Sequence, residues 1–153
     1  MSGMSIPIQG AFEDKLKAFA LANHVDASRL AWPNLAFNPN AEGDTLAGTF
    51  WLRGNLLPGR PMQGTLGTDG LNYQVGIYQV DVFWPRNEAD AAAMAMADAI
   101  SSYFKRGTVI NSPSGTTPIQ VETTNVWSGS APDDPDWFHI PVNIGFRTWT
   151  PNV

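Results

Sequence analysis

The apolar positions of this chain change period several times, and each change predicts an element. In residues 10–23, Phe12, Leu16, Phe19 and Ala20 fall at i, i+4, i+7 and i+8, one stripe of an amphipathic helix. Glu13 and Asp14 are expected in its first turn, where carboxylates suit the positive end of the macrodipole. Residues 28–37, "SRLAWPNLAF", read as a short extended segment broken at Pro33, followed by a turn through Asn38, Pro39 and Asn40. Residues 45–57 read as a strand, with Phe50, Leu52 and Leu57 among its apolar positions. The stretch after it, "PGRPMQGTLGTDG" at residues 58–70, is long for a hairpin connection and reads as an arm joining two strands.

Leu71–Pro85, "LNYQVGIYQVDVFWP", carries the strongest strand signal. One face bears Val75, Ile77, Gln79, Asp81 and Phe83, and the other Tyr78, Val80, Val82 and Trp84. Neither face is cleanly polar, so the strand is expected to be central and at least partly covered on both sides. A second helix is predicted after it, with Asn87 as N-cap, Glu88 and Asp90 in the first turn, and an Ala-rich body. Its buried stripe is Ala89, Ala93, Met96, Ile100 and Phe104; Lys105 and Arg106 suit its C-terminal end, and Gly107 is the left-handed cap. Three extended segments follow, at 108–111, 118–127 and 137–148. In the last, Phe138, Ile140, Val142, Ile144 and Phe146 alternate with polar, Pro or Gly positions, and Pro141 argues for an edge strand or a bulge. Helix, strands, helix, strands make an α+β domain: an antiparallel (mixed) sheet with two helices on one face.

The 153 residues (16.6 kDa) suit a single domain spanning 1–153. Such a chain exposes roughly 7,600 Å² when folded against roughly 24,000 Å² unfolded, enough burial for a core without staples. Charged residues make up only 15% of the sequence, which hints that some surface meets protein rather than water. A net charge of −5 lacks the basic footprint that nucleic-acid binding needs. Without cysteine there are no disulfides, thiolate metal sites or thiol nucleophiles. Residues 1–10 show no signal-peptide pattern, and no stretch is predicted to span a membrane.

Candidate chemistry is sparse. There is no Ser in a nucleophile elbow, no H-E-x-x-H spacing, and no Walker or Rossmann glycine pattern; Gly64, Gly67 and Gly70 recur in a loop without a following helix. His24 lies near a helix end, and His139 reads as a solvated histidine on the polar side of its strand. Asp133, Asp134 and Asp136 leave two readings open, a calcium site built from oxygen ligands or a Pro/Asp turn. Asp81 and Glu122 are far apart in sequence and give no sign of a carboxylate pair. The six tryptophans point to core and interface packing. The expectation is a protein that is not an enzyme, with no catalytic, cofactor or metal residues.

The motifs together resemble a known family. "GIYQVDVFWP" (76–85), the Ala-rich helix ending "YFKRGT" (103–108), the closing "DWFHIPVNIGF" (136–146), "FEDKLKAFA" (12–20) and "WPNLAFNP" (32–39) are similar, in order, to segments of the tail terminator proteins of long-tailed bacteriophages. The resemblance covers most of the chain but not residues 58–70. It implies a structural virion protein without cofactor: a homo-hexameric ring at the head-proximal end of the tail tube. There it would end tube polymerisation and offer a surface for joining the head, assembling in the host cytoplasm and residing in the virion tail. The implied partners are further copies of itself, the major tail tube protein and a head–tail connector or neck protein, with DNA passing through the lumen unbound. The acidic balance suits such a lumen. Candidate subunit or tube contacts are Pro58, Arg60 and Met62 of the arm, with Tyr78 and Trp84. Alternatives are a neck or head–tail joining protein, a ligand-binding module that uses the aromatic surplus, and a metal hydrolase built on Asp133–Asp136.

Overall fold

A computed structural model describes residues 5–33, 35–43, 45–59, 62–63, 67, 70–85, 90–111, 118–127 and 137–151. In chain order the elements are α1 (Ser5–Ala22), β1 (Leu30–Ala31), β2 (Trp51–Pro58), β3 (Met62–Gln63), β4 (Leu71–Pro85), α2 (Asp90–Tyr103), β5 (Val109–Ile110), β6 (Ile119–Val126) and β7 (Trp137–Pro151). The sheet runs β1-β2-β4-β7-β6-β5, with β3 also paired to β4. Only the β1–β2 pair is parallel, so the sheet is mixed, and the α+β class expected from the sequence is the one observed.

Both helices lie on one face of the sheet. Phe12, Leu16 and Phe19 of α1 and Ala93, Ala97 and Ile100 of α2 form one core with Leu52, Tyr78, Val80, Val82, Ile140, Val142 and Ile144. Phe12 stacks on Tyr78 at 4.6 Å and meets Phe146 at 5.0 Å, so one α1 ring touches both central strands. Burying a side chain of this size contributes about 1.5–3 kcal/mol. Gly54 of β2 lies beneath the Tyr78 ring, where a Cβ would strike the phenol.

Several boundaries depart from the periodicity. α1 starts at Ser5, so Glu13 and Asp14 sit mid-helix rather than in the first turn. Ile8, 2% exposed, already belongs to the buried stripe one turn before Phe12, and Gly10 is an interior residue. Residues 28–37 hold a 3₁₀ turn at Ala27–Arg29 and a two-residue strand instead of one extended segment. The strand expected at 45–57 begins only at Trp51, because residues 45–48 form turns. In α2, Ala97 is fully buried where the stripe named Met96, which packs half-buried at the core's edge. The Asn87 cap, Glu88 and Ala89 lie outside the described residues. Gly107 takes the expected left-handed conformation at φ 90°.

Pro141 was expected on an edge or a bulge, yet β7 is central, between β4 and β6. In a strand, a residue's N–H and C=O point to the same side. The Pro141 carbonyl accepts from the Trp127 N–H, just past the end of β6, so the missing proline N–H faces a point where the ladder stops.

Candidate functional site: the open face of the sheet

The second face of the sheet carries no helix among the described residues. Register builds it in rungs. Trp51, Phe83 and His139 form one; Arg53, Asp81 and Pro141 the next; then Asn55, Gln79, Asn143 and Asn125; then Leu57, Ile77, Gly145 and Thr123. The Trp127–Pro141 hydrogen bond extends the second rung to Trp127.

At one end of this face three rings stack across three strands, with Phe37 tilted against the first. Phe37 lies 4.9 Å from Trp51, Trp51 4.0 Å from Phe83, and Phe83 4.8 Å from His139. Beside the stack Asp81 is buried to 1% exposure. His139 Nε2 lies 2.7 Å from its Oδ1, Gln79 Nε2 donates to the same oxygen at 2.7 Å, and Arg53 donates to Oδ2 at 3.1 Å. Burial alone pushes the Asp81 carboxyl up. The hydrogen bonds from His139 and Gln79, with the charges of His139 and Arg53, outweigh that and hold it below the usual carboxylate range. His139 is therefore a ligand of a buried carboxylate, not the solvated histidine expected from its strand position. The cluster lacks a nucleophile, and its carboxylate is fully occupied by its own neighbours, so it braces three strands.

At the other end Arg147 donates to Gln120 Oε1 at 2.9 Å and lies 4.0 Å from Glu122, which also accepts from the Tyr73 hydroxyl at 3.3 Å. Asp81 and Glu122 thus belong to separate clusters. Between the two ends, Leu57 and Ile77 are 45% and 40% exposed, and at the margins Trp127 and Trp149 are 58% and 37% exposed. These four large apolar side chains stand exposed on a sheet face that no described element covers.

The sequence-predicted contact residues divide. Pro58 is exposed at the end of β2, beside Leu57. The backbone of Met62 lies in β3, paired to Tyr73, so part of the expected arm is a short hairpin laid against β4. Arg60 lies outside the described residues, as do Asp133, Asp134 and Asp136. Tyr78 is 1% exposed on the helix side, and burial with the nearby Glu13 charge pushes its phenol far up; it is a core residue with no free surface. Trp84 is also on the helix side, half-buried and stacked on Phe50 at 4.7 Å. Sequence reasoning missed Trp127, Leu57 and Ile77, which only the register places on one open face.

No group of acidic or histidine residues among those described could hold a metal ion, and no described helix is long and apolar enough to cross a membrane. No curated protein matches the chain. Several solved structures match; one of them does so with a TM-score of 0.69, over 95% of this chain and 96% of that one, at 22% identity, which shows a shared fold. The model of the phage tail terminator protein family matches residues 7–146, from the first turn of α1 to the core end of β7. That match takes in both helices and both faces of the sheet, and the chain belongs to the phage tail terminator family.

Proposed function

We propose that this protein caps the head-proximal end of the phage tail tube as a hexameric ring, ending tube polymerisation and presenting a surface for head joining. Family membership supports a structural role in tail assembly. The observation that carries the finer reading is the sheet face that no described helix covers, where Leu57, Ile77, Trp127 and Trp149 stand exposed beside the braced Asp81 cluster. A cap must bind a growing end without offering an equivalent end in return, and a closed ring does this by using up its lateral contacts on itself. The tube protein and a neck protein are the axial partners of this reading, and DNA crosses the lumen without specific contacts.

Light scattering on the purified chain, alone and with tube protein, tests the ring directly. A particle of six subunits is expected, and addition of the protein to growing tubes should fix their length. A chain that stays monomeric in both conditions and leaves tube growth unchanged overturns the reading.

A further inference from the structure

β1 stops where its ladder needs a donor that the sequence withholds. It pairs in parallel with β2, Leu30 opposite Leu52 and Ala31 opposite Arg53. Gly59 N–H donates to Val75 O, so the odd residues of β2 turn their backbone groups inward to β4 and the even ones outward. Ala31 therefore takes the outward C=O of Leu52 and the N–H of Gly54. The next bond of a parallel ladder would run from the N–H of residue 33 to the Gly54 C=O, and residue 33 is a proline, which has no N–H. The chain turns away instead, with Leu35 N–H donating to Trp32 O. No described strand pairs with the outer edge of β2 beyond Arg53, where the Gly54 C=O and both backbone groups of Leu56 face outward.

A cavity of about 570 Å³ lies against this open edge. Gly54 and Asn55 border it on the strand side, and Trp32, Leu35 and Phe37 of the departing segment form an apolar wall. Leu35 is 66% exposed. Arg53 lines the same cavity, and no described carboxylate does. Its guanidinium bonds Asp81 through Nε and Nη2, and Nη1 has no partner among the described residues. An open strand edge, an apolar wall and a partly free cation thus meet in one cleft.

We propose that this cleft binds an extended segment of another protein chain, added antiparallel to β2 at Leu56, with a large apolar side chain followed two residues later by an acidic one. The residue set opposite Leu56 exchanges both backbone bonds with it, and the residue two further on donates its N–H to the Gly54 C=O. The residue between these two lies opposite Asn55 on the open face, where its apolar side chain meets Trp32, Leu35 and Phe37. Ala31 holds the next place along the edge. The segment therefore leaves the sheet toward the open face, and its following residue, the acid, passes over Arg53, where a carboxylate suits the unpartnered guanidinium edge. The inference stands on the edge and the cleft, and not on the ring.

The test uses the isotope-labelled full chain and the blocked peptide acetyl-Val-Thr-Phe-Thr-Glu-amide. Excess peptide should shift the backbone N–H resonances of Asn55 and Leu56 and slow hydrogen exchange of the Leu56 N–H several-fold. N-methylation of both threonines removes the donated N–H groups and should weaken binding by about tenfold or more. Glutamine in place of glutamate should weaken it several-fold at low salt. Leu35→Asp, at an exposed wall position and with folding checked by the denaturation midpoint, should abolish the shifts. Binding that leaves Leu56 unmoved, or that survives N-methylation, overturns the strand pairing. Equal binding of the glutamine peptide overturns the charge pairing, and no binding in excess peptide overturns the site. None of these results depends on the number of subunits, which light scattering reads separately.

Discussion

The two faces of this sheet are made by the same strands yet do opposite work. On the helix side the middle of the central strands is a run of fully buried side chains, Tyr78, Val80, Val82, Ile140, Val142 and Ile144, closed over by Phe12, Leu16, Phe19, Ala97 and Ile100. On the open side the equivalent positions hold a buried carboxylate, a row of amides and two half-exposed aliphatic residues. The helix side stores stability, and the open side stores shape and unpartnered apolar area. Substitutions should therefore separate by face, those on the helix side changing stability and those on the open side changing assembly.

The largest expected effect is Phe12→Ala. The ring is fully buried between Tyr78, Phe104 and Phe146, and its loss should cost about 3–5 kcal/mol, read as a fall in chemical-denaturation midpoint. A loss below about 1 kcal/mol would mean that α1 does not close the core as described.

Asp81→Asn comes next and is the one stability effect expected from the open face. It removes charge-assisted hydrogen bonds from His139 and Arg53, worth about 1.5–3 kcal/mol. The pH dependence has a definite sign. The folded carboxyl titrates below its unfolded value, so its contribution is complete above about pH 4 and disappears as pH falls through the lower, folded value. The wild-type chain should lose stability on acidification below pH 4 more steeply than the Asn variant. Parallel acid-unfolding curves would dismiss the cluster as a brace.

These contrasts explain what the sequence could and could not reveal. Alternation over Leu71–Pro85 predicts β4 residue for residue, because a strand between two covered neighbours must keep its parity from end to end. The α1 start was hidden by Gly10 and by Pro7, which a first helical turn tolerates because its N–H would be unpaired there anyway. β3 was hidden by its two-residue length. The open face was hidden for a deeper reason. Periodicity assigns a residue to a face of its own strand, but the pairing of His139 with Asp81, 58 residues away, depends on register between strands. The same is true of Trp127, which only the register between strands places on the open face. Recognition of the family was possible because the core-facing strings are long and ordered; the exposed apolar residues of the open face are scattered singly along the chain.

Tyr78→Phe is a smaller test, directed at a flaw on the helix side. The Tyr78 hydroxyl is buried without a hydrogen-bond partner among the described residues, pressed against Gly54. Removing an unsatisfied buried hydroxyl while keeping the ring should leave stability unchanged or raise it by up to about 1 kcal/mol. Thermal unfolding of the variant checks this, and a loss of about 1 kcal/mol or more would show that the hydroxyl has a partner. The contrast with Asp81 is instructive: that buried carboxylate is satisfied three times over, while this hydroxyl is not.

The smallest stability effect is expected at Ile77, where the two faces are most sharply opposed. Its neighbours along β4, Tyr78 and Gly76, belong to the helix side, and the Tyr78 ring is in the core, whereas the Ile77 side chain is 40% exposed beside Leu57. Ile77→Thr keeps a β-branched side chain on the strand and removes little buried area, so unfolding free energy should move by no more than about 0.5 kcal/mol. If the open face is only solvated surface, assembly should be equally indifferent. If it is the docking face, loss of one aliphatic group from the centre of the patch should weaken attachment to tube ends by about tenfold, the scale of about 1.4 kcal/mol at an interface. Measuring both quantities on one variant, the denaturation midpoint and the fraction of capped tubes, separates stability from function at a single side chain. An unchanged capped fraction would move the docking surface off this face altogether.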